Sequence, residues 1–270
     1  MRLDAMLVER GLARSRGDAR DLVRDGAVRL NGAPARKPSA AVAAGDDVSV
    51  AARASWVGRG ARKLDAAFAA FGAERIDPLS ARGLRCLDVG ASTGGFTQVL
   101  LERGAAHVVA LDVGRGQLVD ELARDPRVTN AEGVTVRDVE PAALGGPFDL
   151  VVADLSFISL RLVAADLSRL TSVRGQGVWL VKPQFEVGRR AVGKRGLVTD
   201  PVERREALRG ALDAARHVGL TPRSVVPSPV TGATGNREYL LWVCRRPDLA
   251  LPDADAATEN AAIPMTKGER

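Results

Sequence analysis

The stretch Leu84-Arg85-Cys86-Leu87-Asp88-Val89-Gly90-Ala91-Ser92-Thr93-Gly94-Gly95-Phe96-Thr97 decides how this chain is read. A short apolar run ends on an acid and passes into a glycine turn, where backbone can approach a ligand that side chains would block. From Thr97 the pattern becomes helical, with Val99, Leu100 and Leu101 inward and Glu102 and Arg103 outward. The amino end of that helix and its unpaired N–H groups would face whatever sits in the turn. The spacing Gly90-x-x-x-Gly94-Gly95 departs from the Gly-x-Gly-x-x-Gly of dinucleotide folds, which makes NAD the weaker reading. A second strand, His107 to Leu111, ends in Asp112, where a carboxylate can accept both ribose hydroxyls of a nucleoside. Strands at 84–89, 107–112, 127–134, 148–154, 177–182, 224–226 and 239–244, with helices at 64–71, 97–103, 117–123 and 202–217, predict a doubly wound α/β sheet.

Composition narrows the function. The 270 residues, 46% hydrophobic, suffice for one large domain and a small one. No apolar run reaches the ~18 residues of a membrane span, and Met1-Arg2-Leu3-Asp4 carries charge where a signal peptide needs an apolar core. A soluble, cytoplasmic protein with no membrane partner is expected. Cys86 and Cys244 fall in strand-like segments as buried thiols, and two histidines without a Cys-x-x-Cys leave no metal site. A net charge of +6 points to an acidic partner, and residues 1–62 hold most of it, twelve Lys or Arg against seven Asp or Glu.

In that basic segment Leu3, Met6 and Leu7 mark one helix, and Ser15 caps a second carrying Ala19, Leu22 and Val23, which Gly26 stops. Val28 and Leu30 form a strand, Asn31-Gly32 a hairpin turn, and Val42, Val48 and Val50 supply later strand positions. The pattern resembles the small α+β RNA-binding domain named after ribosomal protein S-four. That resemblance implies RNA contact by the second helix and the loop after it, with Arg14, Arg16, Arg20 and Lys37 on phosphates and Arg2 beside them. Arg59 and Arg189 are further candidates for RNA. The expected organisation is a domain at 1–52, a linker at 53–57, a second domain at 58–247, and a disordered tail at 248–270 that is poor in large apolar residues.

Four charges fall at the edge where such sheets bind ligands. Asp154 ends one apolar strand and Lys182 another, Lys63 precedes the first helix of the domain, and Glu238 starts the final strand. If that last strand is antiparallel to its neighbours, all four converge. A Lys-Asp-Lys-Glu set suits methyl transfer to a ribose 2′-hydroxyl, a poor nucleophile that must lose its proton. Lys182 would be the base or the group that steers the hydroxyl. Asp154 and Glu238 would orient the lysines, and Lys63 would supply a second positive charge.

With Gly58-Arg59-Gly60, Lys63-Leu64, Leu87 to Thr97, Asp149 to Ser159 and Lys182-Pro183-Gln184-Phe185-Glu186-Val187-Gly188, the chain resembles the TlyA family of FtsJ-like rRNA 2′-O-methyltransferases. The resemblance implies a Rossmann-like class I methyltransferase domain and 2′-O-methylation of cytidine in ribosomal RNA of the large subunit, in some members also of the small one. It implies S-adenosylmethionine as cofactor, with Asp88, Gly90, Ala91, Ser92, Thr93, Gly94, Gly95, Phe96, Asp112 and Asp154 around it. Lys63, Asp154, Lys182 and Glu238 are the implied catalytic set. Where the family tends to place Asn at the adenine, this chain has Thr135, with Asp138 as the alternative.

Base methylation is disfavoured, because Leu155-Ser156-Phe157 follows Asp154 in place of a Pro-Pro-aromatic motif and neither cysteine sits in a loop suited to attack a pyrimidine. Gly188 to Arg195 lies one residue from a phosphate-binding loop, but Arg195 stands where magnesium needs Ser or Thr, so it reads as a basic RNA-facing loop. Members of the family are also labelled haemolysins, yet the sequence has no spanning segment or long amphipathic basic helix. A non-catalytic RNA-binding module is the remaining alternative.

Overall fold

The structure is a computed structural model that describes every residue except 14, 25, 51–55, 138, 194, 233 and 263–270. It divides into two compact units, Met1–Arg59 and Gly60–Arg270. In the first, α1 (Leu3–Glu9) and α2 (Arg16–Arg24) pack Leu3, Leu7, Ala19 and Val23 against Val28 and Val48. Ser15 Oγ accepts the Asp18 N–H at 3.1 Å and so caps α2. Strand β1 (Val28–Leu30) turns through Asn31 and Gly32, both at positive φ, into β2 (Ala33–Pro34), and β3 (Val48–Val50) pairs on its other side. Val42 is buried but belongs to no strand.

The second unit is a seven-stranded sheet in the order β6-β5-β4-β7-β8-β10-β9. Its strands are β4 (Arg85–Val89), β5 (His107–Asp112), β6 (Val128–Glu132), β7 (Phe148–Ala153), β8 (Thr171–Val181), β9 (Thr221–Pro227) and β10 (Tyr239–Cys244). The first five of these run parallel, and β10 alone is reversed, pairing antiparallel with both β8 and β9. Tyr239 opposes Val181, so the start of β10 lies beside the end of β8. Helices α3 (Arg59–Phe71), α4 (Gly95–Glu102), α5 (Asp120–Ala123), α6 (Leu160–Leu170), α7 (Pro183–Glu186) and α8 (Pro201–His217) connect or cover the strands. Leu87, Val89, Val109, Val151, Trp179 and Leu241 share one core with Val163 and Leu167 of α6 and Leu208 and Leu212 of α8. Burying a side chain of this size stabilises the fold by about 1.5–3 kcal/mol.

Three expectations need correction. Helix α3 begins at Arg59, so Lys63 lies inside it on the same inward stripe as Ala61, Leu64, Ala67 and Phe71. Helix α6 was absent from the expected elements, although Ser159 caps it by accepting the Arg161 N–H and Leu160, Val163, Ala164 and Leu167 repeat at helical spacing. The tail is not disordered throughout: α9 (Ala254–Ala262) buries Thr258, Ala261 and Ala262. The buried Arg204 of α8 donates to the Ala262 carbonyl at the carboxyl end of α9, where positive charge is favoured. Small side chains here pack closely, which their low hydrophobicity conceals. Among the described residues no helix is long and apolar enough to cross a membrane.

Candidate active site

The reversed direction of β10 decides the geometry of the site. Asp154 follows β7, Lys182 follows β8, and Glu238 precedes β10, so all three stand on the carboxyl edge of the parallel strands. Lys63 reaches them from α3. Its Nζ lies 2.8 Å from Glu238 Oε2 and 3.2 Å from Asp154 Oδ2. Lys182 Nζ lies 2.6 Å from Asp154 Oδ1 and donates to Ser156 Oγ at 2.8 Å. Asp154 therefore bridges two lysines, each only 7% exposed, while Glu238 is 2% exposed.

The charges sustain one another. Burial opposes ionisation of Lys63, but Asp154 and Glu238 outweigh it and hold its ammonium above the ordinary lysine value. Burial likewise works against the Asp154 carboxylate, and Lys63 and Lys182 overcome that and hold it below the usual carboxylate range. An ammonium has three donors. Lys63 directs its charge at two carboxylates, whereas Lys182 contacts one carboxylate and one hydroxyl and can present a further N–H to an incoming oxygen.

The loop after Asp154 holds residues that sequence reasoning missed. Phe157 is 91% exposed and adopts φ +65°, a backbone conformation that a bulky residue rarely tolerates and that tends to mark functional positions. Its ring meets that of Phe185 at 5.3 Å between centroids, tilted by 48°. Glu186 ties the two loops together, accepting from Ser159 Oγ at 2.6 Å and from the Leu160 N–H at 2.8 Å. An exposed aromatic three residues after a strand-terminal acid was the available signal.

The glycine turn is packed tightly against the rest of its unit. A Cβ on Gly90 would lie 2.7 Å from the Asp154 carbonyl oxygen, one on Gly94 would strike Leu118 and Leu122, and one on Gly95 would sit 2.9 Å from Ala61 N. These glycines are required by packing of the protein on itself. Phe96 and Ala91 are likewise buried, and Ser92 and Thr93 are the exposed residues of the turn. Asp88 is fully buried; its Oδ2 accepts from Thr97 Oγ1 at 2.7 Å and its Oδ1 has no partner. Burial pushes its carboxyl up to about 7. Asp112, at the end of β5, accepts the Ser92 N–H at 2.8 Å and the Gly114 N–H at 2.7 Å. Thr135 is exposed beyond β6, and Asp138 lies outside the described residues.

In the first unit the buried Asp4 gathers basic side chains. Arg2 donates to both its oxygens at 3.0 Å, and Arg20 stands 3.6 Å away. Hydrogen bonding from Arg2 holds the Asp4 carboxyl below its usual range. Both arginines remain half exposed, and Arg16 and Lys37 are exposed. Arg59 is mostly covered and lies 3.9 Å from Asp21. Arg14 and the Arg189 side chain lie outside the described residues.

Comparison with known proteins agrees with this layout. Residues 56–245 match the family described as FtsJ-like methyltransferase, and residues 1–48 match the S4 domain. A Mycobacterium tuberculosis protein named 16S/23S rRNA (cytidine-2′-O)-methyltransferase TlyA is 49% identical over 252 residues, 93% of this chain and 92% of that one. A Brachyspira hyodysenteriae protein named Hemolysin A is 36% identical, over 89% of this chain and 98% of its own. A solved structure from Streptococcus thermophilus, titled as a candidate hemolysin, superposes with a TM-score of 0.75 at 33% identity, covering 97% of this chain and 94% of that one.

Proposed function

This chain belongs to the FtsJ-like methyltransferase family, and from that premise we propose that it transfers a methyl group from S-adenosylmethionine to the 2′-oxygen of a cytidine ribose in ribosomal RNA. The observation that carries the reading is the Asp154 carboxylate held between the buried Lys63 and Lys182, with Glu238 bracing Lys63.

The residues at the edge fit the cofactor that the family implies. The unpartnered Asp88 Oδ1 is a costly buried acceptor, and an ammonium-bearing ligand or its water relieves that cost. Asp112, partly exposed at the end of β5, suits a ribose diol, and Val113 beside it is 70% exposed and offers an apolar face to a base. S-adenosylmethionine, when bound, supplies a methyl group already activated by its sulfonium. What remains for the chain is to aim and activate the acceptor oxygen.

Lys182, held in place by Asp154 and Ser156, faces the 2′-oxygen and serves as the base that takes the proton the hydroxyl must lose. Lys63 keeps a fixed positive charge near that oxygen as alkoxide character develops, in a site from which water is largely excluded. Glu238 and Asp154 prevent Lys63 from swinging away. Phe157 offers its exposed ring as a stacking face for an unpaired base. The amino-terminal unit, through Arg16, Arg20 and Lys37, binds phosphates without reading sequence. Such a protein works in the cytoplasm with ribosomal subunits as its partner.

The test is incubation with tritiated S-adenosylmethionine and separated large and small ribosomal subunits that lack the modification, followed by mapping of the labelled nucleotide. Label on a ribose 2′-oxygen, lost in Lys182→Ala with cofactor binding retained, supports the reading. Label on a base overturns the roles given to the four charges.

A further inference from the structure

Glu132 ends β6 directly beside Asp112 in the sheet, and the function derived above does not use it. Its carboxylate collects three consecutive backbone N–H groups from the connection between β5 and α5: Gly116 at 2.8 Å on Oε2, and Gln117 at 2.9 Å and Leu118 at 3.2 Å on Oε1. These bonds hold the carboxyl below its ordinary value, so the charged form is the one the loop is built around. Three consecutive N–H donors converging on one acid is a specific arrangement, because a connection exposed to water normally satisfies its N–H groups with water.

What the staple controls is the wall of the nucleoside cleft. Leu118, fixed through its own N–H, packs where a side chain on Gly94 would have to go. Gln117 Oε1 lies 3.1 Å from Ser92 Oγ, on the exposed part of the glycine turn. Gly114 N–H goes to Asp112 and Gly114 carbonyl accepts from Gly133, the residue after Glu132. Asp112 and Glu132 thus hold different parts of the loop, the first tying Ser92 and Gly114 and the second tying residues 116–118. Val113 is carried between them.

We infer that Glu132 is a positioning residue for the nucleoside cofactor, setting the loop 113–118 so that Asp112 and Val113 meet the ribose and base, and taking no part in methyl transfer itself. The inference rests on the proposed cofactor, and it deepens that reading by naming the element that shapes the cleft.

The experiment compares wild type with Glu132→Ala and Glu132→Gln, measuring the Kd of S-adenosylmethionine and S-adenosylhomocysteine by calorimetry, the KM for cofactor and for RNA, and kcat. Glu132→Ala should weaken both cofactors at least tenfold and raise the cofactor KM equally, with kcat at saturating cofactor and the RNA KM within twofold of wild type. Glu132→Gln, which keeps one acceptor oxygen, should fall between. Unchanged cofactor affinity in both variants overturns the inference, as does a loss confined to kcat. Should Glu132→Ala fail to fold, Glu132→Gln decides alone, since an isosteric amide that binds cofactor like wild type is equally fatal. Wild-type protein that binds cofactor yet methylates no ribosomal RNA would sink the functional reading while leaving the role of Glu132 to be judged by the calorimetry.

Discussion

Replacing Lys63 by Met removes a charge but keeps a stem of similar length, and the consequence can be worked from the distances. Two carboxylate contacts at 2.8 and 3.2 Å, at an effective dielectric of about 20, correspond to ~6 and ~5 kcal/mol of gross attraction. Desolvation of the buried ammonium cancels much of this, and breaking a buried pair from one side typically costs about 3–5 kcal/mol. Glu238, 2% exposed, is the group left without its cation. Asp154 loses one of its two cations in the same step. Wild-type stability contains a contribution from Asp154, whose folded pKa is lowered; that contribution is present above the unfolded carboxylate value and is lost as pH falls through the folded one. Lys63→Met forfeits part of that contribution, because Lys63 is one of the two cations that lower Asp154. The gap between the two proteins should therefore be about 3–5 kcal/mol at pH 8 and narrow as pH falls below the ordinary carboxylate range. Urea unfolding followed by tryptophan fluorescence reports it, since Trp179 and Trp242 are both buried in the second unit. Adding Glu238→Gln should restore most of the loss at pH 8. A gap below about 1 kcal/mol at pH 8, or one that stays the same size in acid below the carboxylate range, would refute the argument that these charges sustain each other.

Asp88→Asn removes a carboxyl whose folded pKa is raised to about 7, so ionisation costs wild-type stability progressively as pH rises from the unfolded value towards that point. The variant should gain on wild type by about 2–4 kcal/mol between pH 4 and 8 in pH-dependent melts, while binding S-adenosylmethionine more weakly. Arg16→Ala and Arg20→Ala should each weaken RNA binding at any sequence and lower the salt slope by about one, with cofactor affinity unchanged in calorimetry. Arg204→Ala should cost at least about 2 kcal/mol and expose 254–262 to limited proteolysis, because it strips donors from the carbonyls of Val198, Thr199 and Ala262.

The sheet was legible because each strand announces itself as an apolar run closed by a charge, as Leu150 to Asp154 and Val178 to Lys182 do. The same closing charges marked Asp154, Lys182 and Glu238, and the position of Glu238 needed only the assumption that β10 is reversed, which it is. Lys63 was found for a weaker reason, since its helix starts earlier than expected; a lysine on the apolar stripe of α3 was the stronger clue. Glu132 gave no signal, because an acid after a weak strand looks solvated and its three N–H partners lie 14–16 residues earlier. The burial of α9 was hidden for a similar reason: its cation, Arg204, is 58 residues away from Ala262 and reads as one more charge on an amphipathic helix. Contacts of that separation are set by the tertiary fold and leave no local trace.

The absence of a side chain at Gly90 has a consequence for how variants of this protein sort. With φ +84° and the Asp154 carbonyl 2.7 Å from any added Cβ, even alanine must displace the main chain that carries Asp154. That main chain is also tied back to the strand before the turn, through the Asp154 N–H to the Val89 carbonyl at 3.0 Å. The turn and the acid are in effect one mechanical part. In a randomised library, Gly90 should cluster by phenotype with Lys63 and Lys182, whose loss stops turnover, rather than with Asp112, whose loss is remedied by supplying more cofactor. Position in the primary motif would then be a poor guide to which step a lesion interrupts.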